Sequence, residues 1–413
     1  MNQSPWPPYP QYKDSRVEWL GEVPEHWEVK KLKYCLLLST RKIEPQKSQV
    51  ALENIESWTG RFIETETKFE GDGIAFEEGD ILFGKLRPYL AKVFLAQFSG
   101  EAVGDFFVMR PFPTTDGRFI QYQILNKTFI SIIDSSTFGA KMPRVDWEFM
   151  GNMELTLPSL SEQLAIASFL DSETSRIDAL IAEQNRFIEI ITEEMLSMVT
   201  HSFECHDTKW IRLQYVSEII SRPVNQQDNE SYIRLGLYNK GRGVFKKDVA
   251  DNEDMGDSDF FWIQEGDLII SGQFAWEGAV ALATKDHSGC VVSHRFPVIR
   301  GCKDEVLTEY LLALFMTHYG DFILNECSRG SAGRNRPLNI NMLLKWKIPV
   351  PPIAYQQKIA FLISMRERIR EKLDHNINLL KEYRSSLITA AVTGKIDVRG
   401  FTPLGSERKT AHE

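Results

Sequence analysis

Clusters of basic side chains in Ser- and Gly-rich loops are the feature of this sequence with the clearest chemistry. Arg329, Arg334 and Arg336 fall within eight residues, just before a long stretch with a helical pattern. Lys141 and Arg144 occupy the matching stretch of the first half of the chain. A guanidinium group can bridge O6 and N7 of guanine or clamp phosphate oxygens, so these loops are candidates for contact with DNA. Any one of them also fits an ordinary solvated loop.

Other basic and amide side chains recur at matching places in the two halves. Lys85 and Arg87 follow a strand that begins with Gly-Asp, and Gln273 follows the counterpart of that strand. The recurrence favours a shared role over chance. The predicted DNA-binding residues are Arg41, Lys42, Lys85, Arg87, Lys141, Arg144, Arg222, Arg242, Lys246, Lys247, Gln273, Arg329, Arg334 and Arg336.

Known catalytic and metal-binding patterns are missing from the sequence. It has no Gly-x-x-x-x-Gly-Lys-Ser/Thr phosphate loop, no Gly-x-Gly-x-x-Gly, no Gly-x-Ser-x-Gly and no His-Glu-x-x-His. It also lacks the Asn/Asp-Pro-Pro-aromatic motif of amino-methyltransferases. His287, Cys290, His294 and Cys302 lie close in sequence, but their spacing matches no closed zinc site. We therefore predict no catalytic site and no metal site in this chain.

An internal repeat defines the elements that must position the basic loops. The segment 157–170 returns as 350–363 at a constant offset of 193, and Gln163 and Gln356 are identical within it. Further upstream, Glu78-Gly-Asp matches Glu265-Gly-Asp at an offset of 187. Runs rich in Val, Ile and Phe between Gly-Asp turns are typical of short strands. The sequence therefore predicts an α+β fold in each half, a mixed domain followed by a helical segment.

The two helical segments have the pattern of coiled-coil helices. No Pro or Gly interrupts 159–199, and Gly394 gives the second helix a stop. Alternating steps of three and four predict two apolar seams. They are Leu170, Ile177, Ile181, Ile188, Ile191 and Met195 in the first helix, and Ile359, Leu362, Ile369, Leu373, Leu380 and Leu387 in the second.

Charge favours pairing of these helices with each other. Residues 159–204 hold nine acidic and two basic side chains, whereas 351–400 hold nine basic and five acidic ones. We predict an antiparallel pair related by a pseudo-two-fold axis. The alternative is that each helix packs only on its own domain. A helix over 162–199 would be about 57 Å long at ~1.5 Å per residue, more than the ~34 Å of one turn of DNA.

Composition limits the class of protein. The 413 residues are 43% hydrophobic and 25% charged, with a net charge of −9, which is typical of globular chains. No apolar run approaches the ~20 residues that cross a membrane, and the Pro-rich N-terminus does not resemble a secretory signal. The five cysteines contain no Cys-x-x-Cys pair. We expect a reduced, cytoplasmic protein.

Three blocks of the sequence closely resemble the specificity subunit of bacterial Type I restriction-modification enzymes. They are Tyr12–Trp27, the segment from Leu157 to Asp178, and Leu380–Val398. The resemblance implies an N-terminal conserved segment (1–27), a first target-recognition domain (28–156), a central conserved region with a long helix (157–205), a second target-recognition domain (206–350), a distal conserved region with a long helix (351–400) and a flexible tail (401–413).

The same resemblance implies a function and a set of partners. Each recognition domain would read one half of a split site in double-stranded DNA, and the helices would set the unread gap between the halves. The chain would be non-catalytic and would join two methyltransferase subunits and the restriction subunits. S-adenosylmethionine, ATP and Mg would belong to those partners, with no cofactor in this chain. The alternatives are a scaffold that binds protein through its duplicated domains and a stand-alone enzyme that modifies nucleic acid.

Overall fold

The computed structural model describes residues 6–43, 48–65, 73–139, 142–225, 231–251, 258–302, 304–330 and 336–401. Contacts between Cα atoms divide the chain into two compact units. Unit 1 is Met1–Ala182 with Asn376–Glu413, and unit 2 is Glu183–His375. Each unit contains a mixed α/β domain and a segment of each of two long helices, α4 (Leu160–Ser202) and α8 (Ile353–Val392). No helix of the described residues is long and apolar enough to span a membrane.

Unit 1 is built from short strands and three short helices. The strands are β1 (Tyr12–Asp14), β2 (Glu22–Pro24), β3 (Glu28–Lys31), β4 (Leu36–Ser39), β5 (Lys42–Ile43), β6 (Gln49–Val50), β7 (Gly73–Phe76), β8 (Ile81–Gly84), β9 (Val93–Leu95), β10 (Gly100–Ala102), β11 (Phe106–Pro111) and β12 (Glu154–Leu157), and the helices are α1 (Gly117–Ile124), α2 (Lys127–Ser135) and α3 (Trp147–Asn152). Asp116, Asn126 and Asp146 start the three helices, because each side chain accepts a hydrogen bond from a backbone N–H of the first turn.

Unit 2 has the same kind of construction. Its strands are β13 (Lys209–Arg212), β14 (Ser217–Ile219), β15 (Ser231–Leu237), β16 (Val244–Asp251), β17 (Phe260–Trp262), β18 (Leu268–Ile270), β19 (Val280–Leu282), β20 (Val291–Ser293), β21 (Val298–Gly301) and β22 (Lys347–Val350), and its short helices are α5 (Thr308–Phe315), α6 (His318–Glu326) and α7 (Ile340–Lys345). Thr317 and Asn339 cap α6 and α7 in the same way.

The two domains share most of their sheet topology. The strand order β4-β11-β8-β9 in unit 1 is matched by β14-β21-β18-β19 in unit 2. In a second sheet, β10 pairs with β6 in parallel and with β7 antiparallel, just as β20 pairs with β15 and β17. A third, two-stranded sheet joins β12 to β3 and β22 to β13. The structure thus confirms the two-copy α+β fold. The copies differ in the fourth strand of the second sheet, since β5 pairs with β7 in unit 1 whereas β16 pairs with β15 in unit 2.

Within each unit, a segment of α4 packs antiparallel against a segment of α8. In unit 1, Asp178 contacts Arg384, and Thr156, just before α4, contacts Val392. In unit 2, Thr192 contacts Arg366 and the later residue Met198 contacts the earlier Tyr355. In both units, residues later in the sequence of α4 contact residues earlier in the sequence of α8. The two helices are therefore antiparallel, as predicted.

The predicted seam residues of α4 and α8 are buried to different degrees. Leu170, Ile177, Met195, Ile359 and Leu387 are buried. The remaining predicted seam residues are half-buried, namely Ile181, Ile188, Ile191, Leu362, Ile369, Leu373 and Leu380.

A correction concerns the phase of the α8 seam. Stepping three residues first from Ile359 selects Asn376 and Tyr383, which the structure leaves exposed. Among the residues that α8 buries, Ile363, Ile377 and Arg384 follow from stepping four first. Both phases begin on apolar side chains, so the pattern alone does not separate them.

The ends of the chain meet the start of α4 in unit 1. The buried carboxylate of Glu162 accepts hydrogen bonds from the Tyr9 hydroxyl (2.7 Å) and the Trp27 indole (3.1 Å), and His26 Nε2 lies 2.9 Å away. The backbone N–H of Asp397 donates to the carbonyl of Pro7 (2.7 Å). The blocks Tyr12–Trp27 and Leu380–Val398 therefore lie together at the start of the block Leu157–Asp178.

The five cysteines are free thiols in the structure. Cys35, Cys290 and Cys327 are buried. Burial raises the pKa of the Cys35 thiol to about 11, because the low-dielectric surroundings disfavour the thiolate. The core of unit 1 around Cys35 contains the fully buried Trp27 and Phe119, and the core of unit 2 contains Tyr310 and Phe315.

Candidate nucleic-acid interface

Two loops of unit 1 cross to form the first loop pair, whose described residues are 85–87 after β8, and 136–139 and 142–144 between α2 and α3. The backbone N–H of Arg87 donates to the Pro143 carbonyl (2.8 Å), and that of Val145 donates to the Lys85 carbonyl (3.1 Å). Leu86 and Phe138 each form a β-bridge with Arg144. Three predicted residues, Lys85, Arg87 and Arg144, are thereby brought together.

The side chains of the first loop pair differ in how firmly they are held. Arg144 is exposed and forms an ion pair with Asp105 (2.9 Å). The Lys85 ammonium lies over the Phe107 ring, 5.6 Å from its centroid. Arg87 is exposed and has a left-handed backbone with φ 52°. Phe138, 65% exposed, adds an aromatic surface beside these cations. Exposed cations with an aromatic neighbour are what phosphate contact and base stacking require.

The second loop pair of unit 2 uses the equivalent backbone contact. Its described residues are 271–277, 328–330 and 336–338. The N–H of Leu338 donates to the Gly272 carbonyl (2.8 Å), as Val145 donates to Lys85 in unit 1. The Arg336 guanidinium stacks over Trp276, 5.1 Å from the ring centroid. Gln273 and Arg329 are exposed, and Arg329 pairs with Glu326. Phe274 is 42% exposed in the same loop.

The remaining predicted residues lie elsewhere. Arg41 and Lys42 are exposed at β5, on the sheet that also contains β7. Arg242 lies over the Tyr238 ring at 5.5 Å, and Lys246 and Lys247 are exposed on β16. Lys141 and Arg334 fall outside the described residues. DNA contact by any of these side chains stays a prediction.

Arg222 belongs to a buried ion cluster that the sequence did not reveal. The Asp267 carboxylate, 0% exposed, accepts hydrogen bonds from Arg222 Nη1 (2.7 Å) and Arg300 Nε (2.6 Å). In unit 1 the equivalent Asp80, 2% exposed, accepts from Arg110 Nε at 2.8 Å. The paired carboxylate raises the pKa of the Arg110 guanidinium. Each Asp also accepts a backbone N–H three residues earlier, which closes the Gly-Asp turn. The recurrence of Glu-Gly-Asp in the two halves is the sequence signal that could have pointed to this cluster.

Replacement of Asp267 by alanine should destabilise the second domain strongly. It would leave Arg222 and Arg300 without their common carboxylate, and loss of one partner of a buried ion pair costs about 3–5 kcal/mol. Both guanidinium groups are about a quarter exposed, so we expect the lower end of that range. Urea unfolding would measure the loss. Asp105→Ala, which removes an exposed pair, should cost less than about 1 kcal/mol, and equal losses for the two variants would contradict this account.

Gln163 and Gln356 fasten the long helices to the domains in the same way. Gln163 Oε1 accepts from the N–H of Asp116 (2.9 Å), and its Nε2 donates to the carbonyls of Thr114 (3.3 Å) and Pro158 (2.9 Å). Gln356 accepts from Leu307 (2.9 Å) and donates to Glu305 (3.0 Å) and Pro351 (2.8 Å). Both amides are buried. This shared geometry explains why the glutamine is identical in the two copies.

The His and Cys side chains near Cys290 bear on the prediction that the chain has no metal site, which stays a prediction. Across the described ranges, no group of three or more His, Cys, Asp or Glu side chains is placed to hold an ion. His287 instead accepts a hydrogen bond from the backbone N–H of Thr284 (3.0 Å). Burial lowers the pKa of this imidazole.

Comparison with known proteins identifies two specificity subunits that are similar to parts or most of the chain. A specificity subunit of the Type I restriction enzyme EcoDI from Escherichia coli is 23% identical over 200 residues, which is 46% of this chain and 44% of that subunit. That match therefore spans less than half of the relative. The Type I restriction enzyme MjaVIII specificity subunit of Methanocaldococcus jannaschii is 21% identical over 423 residues, covering 92% of this chain and 95% of the relative.

A solved structure and a family model complete the comparison. The fold is similar to a chain from a study of "complex assembly and conformational transition of the type I R-M system", with a TM-score of 0.57 at 17% identity over 91% of this chain and 99% of that one. The model of the Type I restriction modification DNA specificity domain matches twice, at residues 24–189 and 218–379. These matches cover well over half of the sequence and coincide with the two structural copies. The chain belongs to the Type I restriction-modification DNA specificity family.

Proposed function

We propose that this chain reads a bipartite site in double-stranded DNA, with one target-recognition domain for each half. The observation that carries the proposal is the duplication of the loop pair. The same backbone contact, Val145 to Lys85 and Leu338 to Gly272, presents exposed cations and aromatic side chains in each domain. Two equivalent reading surfaces in one chain call for two separate recognition sequences. Lys and Arg contacts to phosphate would position each domain, and Arg and Gln at base edges would discriminate between sequences.

We further propose that the chain is non-catalytic and assembles with two methyltransferase subunits and with restriction subunits. S-adenosylmethionine, ATP and Mg would then be bound by those partners. The long helices offer surface for such assembly, since exposed apolar side chains often mark protein interfaces. In unit 1 these are Leu180, Leu379 and Tyr383, and in unit 2 they are Phe187, Ile190 and Phe361.

The first test is a map of methylated adenines in cells that express the chain together with its methyltransferase partners. We expect two short specific blocks separated by a fixed stretch of unread base pairs, and loss of this methylation when the chain is deleted. A continuous motif, or methylation that persists without the chain, would contradict the proposal. The second outcome would favour a scaffold that binds only protein.

A second measurement addresses the alternative of a stand-alone enzyme. The purified chain would be incubated with DNA and labelled S-adenosylmethionine, with the assembled complex as the positive control. We expect label in DNA only with the complex, because the chain lacks the Asn/Asp-Pro-Pro-aromatic motif. Transfer by the chain alone would refute its non-catalytic role.

A further inference from the structure

A buried arginine of α8 connects the helix pair of unit 1 to the first recognition domain. Arg384 is 9% exposed. Its Nε donates to Asp178 Oδ1 on α4 (3.1 Å), and its Nη1 donates to the backbone carbonyl of Trp58 in the domain (3.0 Å). One guanidinium group thus contacts both helices and the domain.

A second arginine of the same helix makes the corresponding connection in unit 2. Arg366 is 5% exposed, its Nε donates to Thr192 Oγ1 on α4 (2.9 Å), and its Nη2 lies 3.5 Å from the Gly241 carbonyl. The adjacent Glu367 pairs with its Nη1. Burial lowers the pKa of this guanidinium, yet an arginine stays protonated in proteins.

The two carbonyl acceptors are equivalent in the repeat. Trp58 donates its N–H to the Ala91 carbonyl (3.1 Å), and Gly241 donates to Gly278 (2.9 Å). Trp58 and Gly241 both have left-handed backbone conformations, with φ 67° and 60°. A tryptophan rarely adopts this conformation, so contacts around Trp58 must hold the turn against the strain in its backbone. The same carbonyl of the same turn is therefore bound in both domains.

Helix packing alone does not explain these arginines. An apolar side chain of similar size at a seam position would pack without the cost of burying a charge. A planar guanidinium has donors in fixed directions, so it restricts the angle between the groups that it binds. The arrangement thus lacks the more favourable packing of an apolar side chain, but it fixes the orientation of the domain on its helices.

We propose that Arg384 and Arg366 are positioning residues that set the angle of each recognition domain on the helix pair, and thereby restrict how many unread base pairs the complex accepts. This inference rests on the proposed function, since it concerns the gap of a bipartite site. It adds specific residues that control gap specificity without touching DNA.

The test uses the complete complex of this chain with its methyltransferase partners. Methylation rates would be measured on duplexes with the same two half-sites and with gaps one or two base pairs shorter or longer than the natural one. For Arg384→Met, we expect the preference for the natural gap to fall at least about tenfold while the half-site bases stay the same, because small errors of position have large effects on rate. Arg368→Met, at an exposed position of the same helix, should keep the wild-type preference.

Distinct outcomes separate this inference from the proposed function. If Arg384→Met lowers methylation equally at every gap length, the residue has only a structural role and the inference fails. If that variant does not fold, as judged by circular dichroism, Arg384→Lys decides, since one ammonium cannot reproduce the fixed contacts to Asp178 and Trp58. A retained gap preference in that variant would overturn the inference. A wild-type complex that ignores gap length would contradict the proposed function as well.

Discussion

Exchange of residues 28–156 for the same domain of a relative with a different target changes one half of the methylated DNA sequence and leaves the other half unchanged. This is the expected result because each domain has its own core and its own loop pair. Each wrong base pair typically costs about 1–3 kcal/mol, so several changes in one half abolish methylation of the old site. Sequencing of methylated adenines in cells with the chimera would show the outcome.

The matched control is the exchange of residues 206–350, which should alter the opposite half. An exchange that changes both halves, or neither, would mean that the domains do not read DNA independently. A chimera that still assembles with its partners but methylates the original site would favour the protein-binding scaffold.

Insertion of one heptad into both α4 and α8 lengthens the unread gap of the recognised site. Seven helical residues add about 10.5 Å at ~1.5 Å per residue, which corresponds to roughly three base pairs at ~3.4 Å each. A heptad also preserves the phase of the apolar seam. The insertions would follow Ala182 and His375, where the unit division falls in each helix. Methylation of duplexes with graded gaps would measure the change.

Insertion into α4 alone is the control for this experiment. It would offset every later seam residue of α4 from its partner on α8, so we expect the complex to lose methylation at all gap lengths. A double insertion that stays active and keeps the natural gap would show that the helices do not determine the spacing.

Much of the architecture could be predicted because it is encoded in local patterns. The repeat at 157–170 and 350–363 predicted the two-copy fold, and the apolar periodicity predicted both long helices. The phase of the second seam could not be obtained this way. Leu362 and Ile363 are both apolar, and only the packing of α8 decides that Ile363 is the more deeply buried.

The side-chain partners of the charged residues were beyond the reach of the sequence. Arg222 looked like one more basic loop residue, but its partner Asp267 is 45 residues away and is brought to it by the sheet. Arg384 lies one residue after Tyr383, the position that the three-first step selects, so its burial was not predicted. Such pairings depend on tertiary geometry. The recurrence of the loops around Lys85 and Arg144 in both halves indicated a shared role, but their crossing was not predicted.

Four of the contacts that join the long helices to the domains are made to main-chain atoms of the domain. Gln163 and Gln356 bond to backbone N–H and carbonyl groups, and Arg384 and Arg366 reach carbonyls of a turn. Every amino acid supplies a backbone carbonyl, and every one except proline supplies a backbone N–H, so these four contacts place little restriction on the side chains of the domain. Side-chain bonds from Arg118 and Tyr122 to Asp171 of α4 supplement them in unit 1. Mutation can therefore change the side chains of a DNA-contacting surface while the contacts that attach its domain to the helices are kept. New target preferences can arise in this way over evolutionary time without a change in the scaffold.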